Sequence, residues 1–185
     1  ILGNDATDVL TFAGGLATTG NASNPGTLNV AGTINTTNTR MDVGAVTLTK
    51  ATTFDTGNHA DGVLNIGAVT SGTNSLTLDS GATAGATMSL TSMVDASGGL
   101  TIRDAGGLAT IGDIGSGTAG AVTITDSTAG VTFSGNVDST TLTITDTTDA
   151  AVVTFAQGGD VDITTSFDTA NQGYAVTINS STFDA

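Results

Sequence analysis

Several residue types that most chains use are missing or scarce in this sequence. The 185 residues include no cysteine, no tryptophan and no glutamate, with one histidine and one proline. Without cysteine the fold contains no disulfide, and the sequence carries no sign of its redox compartment. Only Arg40, Lys50 and Arg103 are basic, against 17 aspartates and a formal net charge of −14. Because phosphate binding requires clustered lysine and arginine, this balance excludes nucleic acid as a partner.

Large side chains and strong helix formers are also scarce. Aromatic residues make up 4% of the chain, whereas 26 residues are glycine. The helix formers Glu, Lys and Gln are almost absent, so we expect almost no helix. No apolar run is long enough to cross a bilayer, so we expect no transmembrane segment, and the few large side chains argue against a thick globular core. The apolar content of 38% nevertheless argues against disorder, because disordered chains combine low hydrophobicity with high charge.

What the chain does have is a recurring three-residue unit of the type apolar–small polar–apolar, such as Leu10-Thr11-Phe12. This alternation is typical of a strand with one buried face. The units follow one another in steps of 18 and then of 12 residues, and their first positions are Leu10, Leu28, Val46, Leu64, Leu76, Met88 and Leu100. Later units, such as Val122-Thr123-Ile124, are spaced more loosely. Recurrence at a fixed spacing indicates that one supersecondary unit is copied along an axis.

The pattern predicts an all-β fold, a β-solenoid of about nine coils with about 20 residues each, roughly 45 Å long. We expect Leu28, Val46 and Leu64 to stack on one another in successive coils. We interpret residues 1–185 as a single β-repeat domain, regular over 9–102 and looser over 103–185, and as a mature product or a piece of a longer chain. The alternative fold is a β-sandwich of the pilin or surface-layer type.

One set of carboxylates is a candidate metal site. Asp104, Asp126 and Asp146 follow their strand units at the same offset, so successive coils would place them about 4.8 Å apart. Like charges at that distance need a cation, water or Arg103 between them, and calcium is the cation that prefers such oxygens. The alternative is an exposed column of charges that salt screens.

Candidates for catalysis are few, and we do not expect an enzyme. The single histidine, His59, lies in a polar turn, and the abundant hydroxyl residues give no specific triad. Asp160 and Asp162 alternate on one strand face and could serve a β-helix enzyme that acts on polysaccharides, which stays an alternative. Aspartates beside glycine or serine, as in Asp61-Gly62, are equally typical of turns.

Threonine-rich strands raise another function. In a Thr-x-Thr strand, two hydroxyls lie on the face opposite to the buried central residue. The chain contains three such strands, Thr47-Leu48-Thr49, Thr123-Ile124-Thr125 and Thr143-Ile144-Thr145. Rows of outward threonines resemble the ice-binding surfaces of antifreeze solenoids, so ice binding is an alternative function. The simpler explanation is that threonine is a good strand residue for an exposed face.

The runs Val-Thr-Ile-Thr-Asp at 122–126 and Leu-Thr-Ile-Thr-Asp at 142–146 resemble the β-strand repeats of large secreted bacterial surface proteins. These are similar to the filamentous-haemagglutinin type of adhesin, and the likeness extends over about residues 9 to 178. The resemblance implies a right-handed β-helix, an extracellular or cell-surface location and a structural or adhesive role as a rod, fibre subunit or surface-layer component. It supplies no catalytic residues. A calcium-dependent adhesin is an alternative, and we expect self-association end to end or with other surface components.

Overall fold

The chain forms seventeen β-strands in a computed structural model that describes residues 2–18, 27–148 and 151–185. Within these ranges the only helical element is a single 3-10 turn, Ala96–Gly98. The strands are β1 Val9–Phe12, β2 Leu16–Ala17, β3 Leu28–Thr36, β4 Met41–Val43, β5 Val46–Asp55, β6 Leu64–Thr70, β7 Leu76–Asp79, β8 Met88–Val94, β9 Leu100–Asp104, β10 Ala109–Ile114, β11 Gly120–Ile124, β12 Val131–Phe133, β13 Val137–Ile144, β14 Val152–Phe155, β15 Asp160–Thr169, β16 Ala175–Ile178 and β17 Thr182–Asp184.

The strands stack in parallel as a β-solenoid of about seven turns, with about 23 residues in each coil. Apart from the strands of the first and last coils, each strand pairs with the strand one coil earlier and one coil later, as β9 pairs with β7 and β11. The predicted β-solenoid is thereby confirmed. The β-sandwich alternative is wrong, because sandwich sheets are built from antiparallel strands whereas these pairs are parallel.

The pairing arranges the strands in three stacks, which we call faces A, B and C. Face A consists of β1, β7, β9 and residues 33–36, 52–55, 122–124, 141–144 and 166–169. Face B consists of β2, β4, β12, β14, β16 and residues 64–66, 88–90 and 109–111. Face C consists of β17 and residues 28–30, 46–48, 68–70, 92–94, 113–114, 137–139 and 160–163.

The core is a narrow column formed by the inward side chains of the three faces. Alternate strand residues point inward, and they are mostly Val, Ile and Leu with near-zero exposure, as at Ile34, Leu64 and Val69. Towards the end of the chain the core becomes aromatic: the rings of Phe133 and Phe155 stack with centroids 5.2 Å apart. A few apolar residues from each coil therefore fill the interior, which explains how a chain with so few aromatics can fold.

The register corrects the predicted spacing of the coils. Leu28 stacks on Val46 as expected, but Val46 stacks on Val69 and Leu64 stacks on Met41 and Met88. Of the three 18-residue steps, only that from Leu28 to Val46 is a coil. The step before it leads from face A to face C, and the step after it leads from face C to face B. The 12-residue steps are half-coils, because the units at Leu64 and Met88 lie on face B whereas those at 76 and 100 lie on face A. Seven turns replace the predicted nine, and the stack is about 34 Å long at roughly 4.8 Å per turn.

Close contact between coils explains some of the glycines. A Cβ built on Gly112, where face B turns into face C, would lie 1.9 Å from the carbonyl oxygen of Thr91 in the preceding coil. A Cβ on Gly67 at the same corner would lie 2.7 Å from the carbonyl of Gly44. The backbones of neighbouring coils therefore approach too closely for a side chain at this corner.

Candidate functional surfaces

The outer surface of face A carries a continuous column of threonines. Six of them stand in register on successive coils: Thr33, Thr53, Thr77, Thr101, Thr123 and Thr143. Each is half-buried between its neighbours and follows the period-two rule, with an inward residue on either side in the strand. The expectation of outward threonines is confirmed for Thr123 and Thr143. Residues 47–49 follow a different stack, because Thr47 pairs with Thr70 on face C.

Face B carries a polar ladder, a row of polar side chains in register on successive coils, and the residue types in this row change along the solenoid. In the early coils, Arg40 donates to Asp42, Asn65 donates to the other oxygen of Asp42 at 2.7 Å, and Ser89 donates to Asn65 at 2.8 Å. In the later coils the same position is occupied by threonines, namely Thr110, Thr132, Thr154 and Thr177. The ladder joins three coils through side chains in addition to the backbone.

Beside the threonine column, Arg103 joins three coils of face A. Its Nε lies 2.5 Å from Oδ2 of Asp79 one coil earlier, and its Nη2 lies 3.4 Å from Oδ2 of Asp55 two coils earlier. The Asp79 side chain is only 11% exposed, whereas that of Arg103 is 46% exposed. Asp55 and Asp79 also cap their own turns, accepting from the N–H groups of Gly57 and Gly81 at 2.8 Å.

A shallow groove of about 240 Å³ lies beside this ion pair. Its lining includes the carboxylates of Asp55, Asp79 and Asp104 together with Asn58. The groove is open to solvent along one side. Two of its carboxylates are already engaged by Arg103 and by backbone N–H groups, so its polar atoms mainly hold the corner of the fold together.

The three predicted metal-site aspartates lie at the end of a strand, or two residues beyond it, on successive coils of face A. Ile102, Ile124 and Ile144 are in register, and Asp104, Asp126 and Asp146 each lie two residues further on. Burial raises the pKa of Asp104, and the charges of Asp79 and Asp126 raise it further against the opposing effect of Arg103. Among the residues that the structure describes, no group of three or more His or Asp side chains is arranged to hold a metal ion. Calcium binding therefore stays a prediction.

Many other aspartates and asparagines form hydrogen bonds from one coil to the next at the corners. Asp113 accepts from the N–H of Asn136, Asn136 accepts from the N–H of Asp160, and Asp160 accepts from the hydroxyl of Thr182, at 2.8, 2.9 and 3.0 Å. Asn38 similarly accepts from the N–H of Asn58 at 2.9 Å. These contacts explain why turn residues with side-chain oxygens are so abundant.

A column of carboxylates that the sequence analysis missed lies on face C. Asp138, Asp162 and Asp184 stand in register on three successive coils. Burial raises the pKa of Asp138, and the nearby charges of Asp162, Asp113 and Asp160 raise it further. No lysine or arginine follows Arg103 in the sequence. The sequence signal is an Asp directly after an inward apolar residue, namely Val137, Val161 or Phe183. It becomes informative only once the spacing of 24 and 22 residues between coils is known.

The candidate catalytic residues form two separate groups, one in the turn after β5 and one on β15. His59 Nδ1 is 3.4 Å from Oδ2 of Asp61, and both side chains are mostly exposed in a turn. Asp160 belongs to the corner ladder, and Asp162 stands between Asp138 and Asp184.

We expect Arg103→Gln to destabilise the protein more than Arg40→Gln, although the two substitutions change the net charge equally. Arg103→Gln leaves the mostly buried Asp79 carboxylate without its cation, and hydrogen bonds to charged groups contribute about 1.5–3 kcal/mol. The Arg40–Asp42 pair is more exposed, and such pairs contribute about 0.2–1 kcal/mol. Urea unfolding at pH 7 measures both losses. Equal losses would contradict the role given to Arg103.

The carboxylate column on face C predicts a pH dependence. Because the pKa of Asp138 is raised in the folded state, this group binds its proton more tightly there, and its contribution to stability increases as the pH falls. We expect Asp138→Asn to raise the free energy of unfolding at pH 7 by up to about 1 kcal/mol, since like charges opposite one another destabilise a sheet. The gain should shrink towards pH 3.

The matched control is Asp61→Asn, which removes the same charge from a side chain that is 82% exposed. Its effect should be small at every pH, because an exposed charge is solvated in the folded and the unfolded state alike. Urea unfolding across pH 3–7 compares the two variants with the parent protein. A stability change for Asp138→Asn that does not vary with pH would show that repulsion in the column is unimportant.

No helix in the described ranges is long and apolar enough to cross a membrane. Comparison with known proteins gives no relative from which a function could be carried over: no family model, no curated protein and no solved structure matches the chain.

Proposed function

We propose that the protein is a non-enzymatic structural or adhesive element, a rod that works outside the cell or on its surface. The observation that carries the proposal is the uninterrupted parallel pairing along faces A, B and C, in which each coil rests on its neighbours. Such a molecule is stiff along one axis and offers long, regular side surfaces. Rods and fibres need this geometry, whereas most catalytic sites need a concave pocket with converging groups.

The way in which the fold is stabilised supports the same proposal. Backbone groups are satisfied between coils, and side-chain ladders such as Asp113–Asn136–Asp160 join the corners. This stability involves no disulfide, because the chain contains no cysteine. The resemblance of 122–126 and 142–146 to the repeats of secreted bacterial surface proteins is a further argument for an extracellular or cell-surface location.

Antibodies raised against the 185-residue chain test this location. We expect them to label intact cells that make the protein, because a surface rod is accessible without permeabilisation. An antibody against a cytosolic protein is the control for cell integrity. Labelling that appears only after permeabilisation would contradict the proposal.

We also propose that copies associate end to end. In the described ranges, strands β16 and β17 pair only with the preceding coil, and Ile178 is 47% exposed. At the other end, within the same ranges, β1 pairs only with β3, and its inward side chains Leu10 and Phe12 are only partly buried against the core. Stacking one end on the other would continue the parallel pairing and cover these apolar side chains. Such a head-to-tail contact does not close on itself, so it produces filaments.

The end contact is tested with two matched variants. Ile178→Asp places a charge on the last strand of face B, whereas Val152→Asp places the same charge on the side of the stack. We expect filaments of the parent chain and of Val152→Asp in negative-stain electron microscopy at high concentration, and single particles of Ile178→Asp. A parent chain that stays monomeric throughout would overturn end-to-end association.

Ice binding is a second candidate function, favoured by the threonine column of face A. The six threonines repeat at about 4.8 Å along the axis on a stack of parallel strands. Repeated hydroxyls at a fixed spacing can hold a row of ordered waters, and the methyl groups between them limit other hydration. On this proposal face A, rather than face B or C, contacts ice.

Thermal hysteresis measures this activity. We expect the parent chain to depress the freezing point below the melting point, and Thr101→Lys to abolish the effect because a long charged side chain interrupts the column near its middle. Thr132→Lys makes the same change on face B and should leave hysteresis intact. No hysteresis in the parent chain, or equal losses in both variants, would exclude face A as an ice-binding surface.

A further inference from the structure

We draw no further inference here: the strongest candidate, the column of in-register carboxylates of Asp138, Asp162 and Asp184 on face C, is an acidic cluster beside which nothing in the described residues points to a ligand.

Discussion

The structure depends on one constraint, the parallel hydrogen-bonded register that each coil imposes on the next. Once Leu64 is paired with Met88, the neighbouring residues of both strands are fixed as inward or outward, because side chains alternate along a strand. The same register aligns identical side chains, which produces the threonine column on face A and the carboxylate column on face C. Burial of the apolar residues and alignment of the polar ones are therefore two results of a single arrangement.

Polar side chains that are aligned on successive coils either stabilise or destabilise the stack, according to whether they can donate as well as accept hydrogen bonds. Asparagine and serine can donate and accept at once, so Asn65 and Ser89 form a ladder in which each side chain satisfies the next. Ionised carboxylates only accept, so Asp138 and Asp162 gain nothing from standing in register. Arg103 resolves the same conflict on face A by donating to carboxylates of two earlier coils. The protein thus relies on amide and hydroxyl ladders where it has few cations.

Much of this fold could be predicted from the sequence, because apolar–polar alternation reports which residues face inward. The triplets do not report which face they belong to, since Leu64-Asn65-Ile66 and Val46-Thr47-Leu48 look alike but lie on different faces. Assigning the face requires the length of each corner, which depends on close contacts such as that of Gly112 with Thr91. The sequence predicts the threonine column only in part for the same reason. Thr33 and Thr53 lie in longer strands without the regular triplet spacing, so the triplets alone do not align them with the other threonines.

The corners between faces A and B differ in length although the faces they join keep their register. The connections 56–63 and 80–87 are followed by the much shorter 105–108, yet β10 after it still pairs in register with β8. Length added at this edge projects sideways into solvent and leaves the hydrogen-bonded stacks unchanged. The architecture can therefore accept inserted segments there, so that relatives could acquire new recognition loops while the supporting scaffold stays the same.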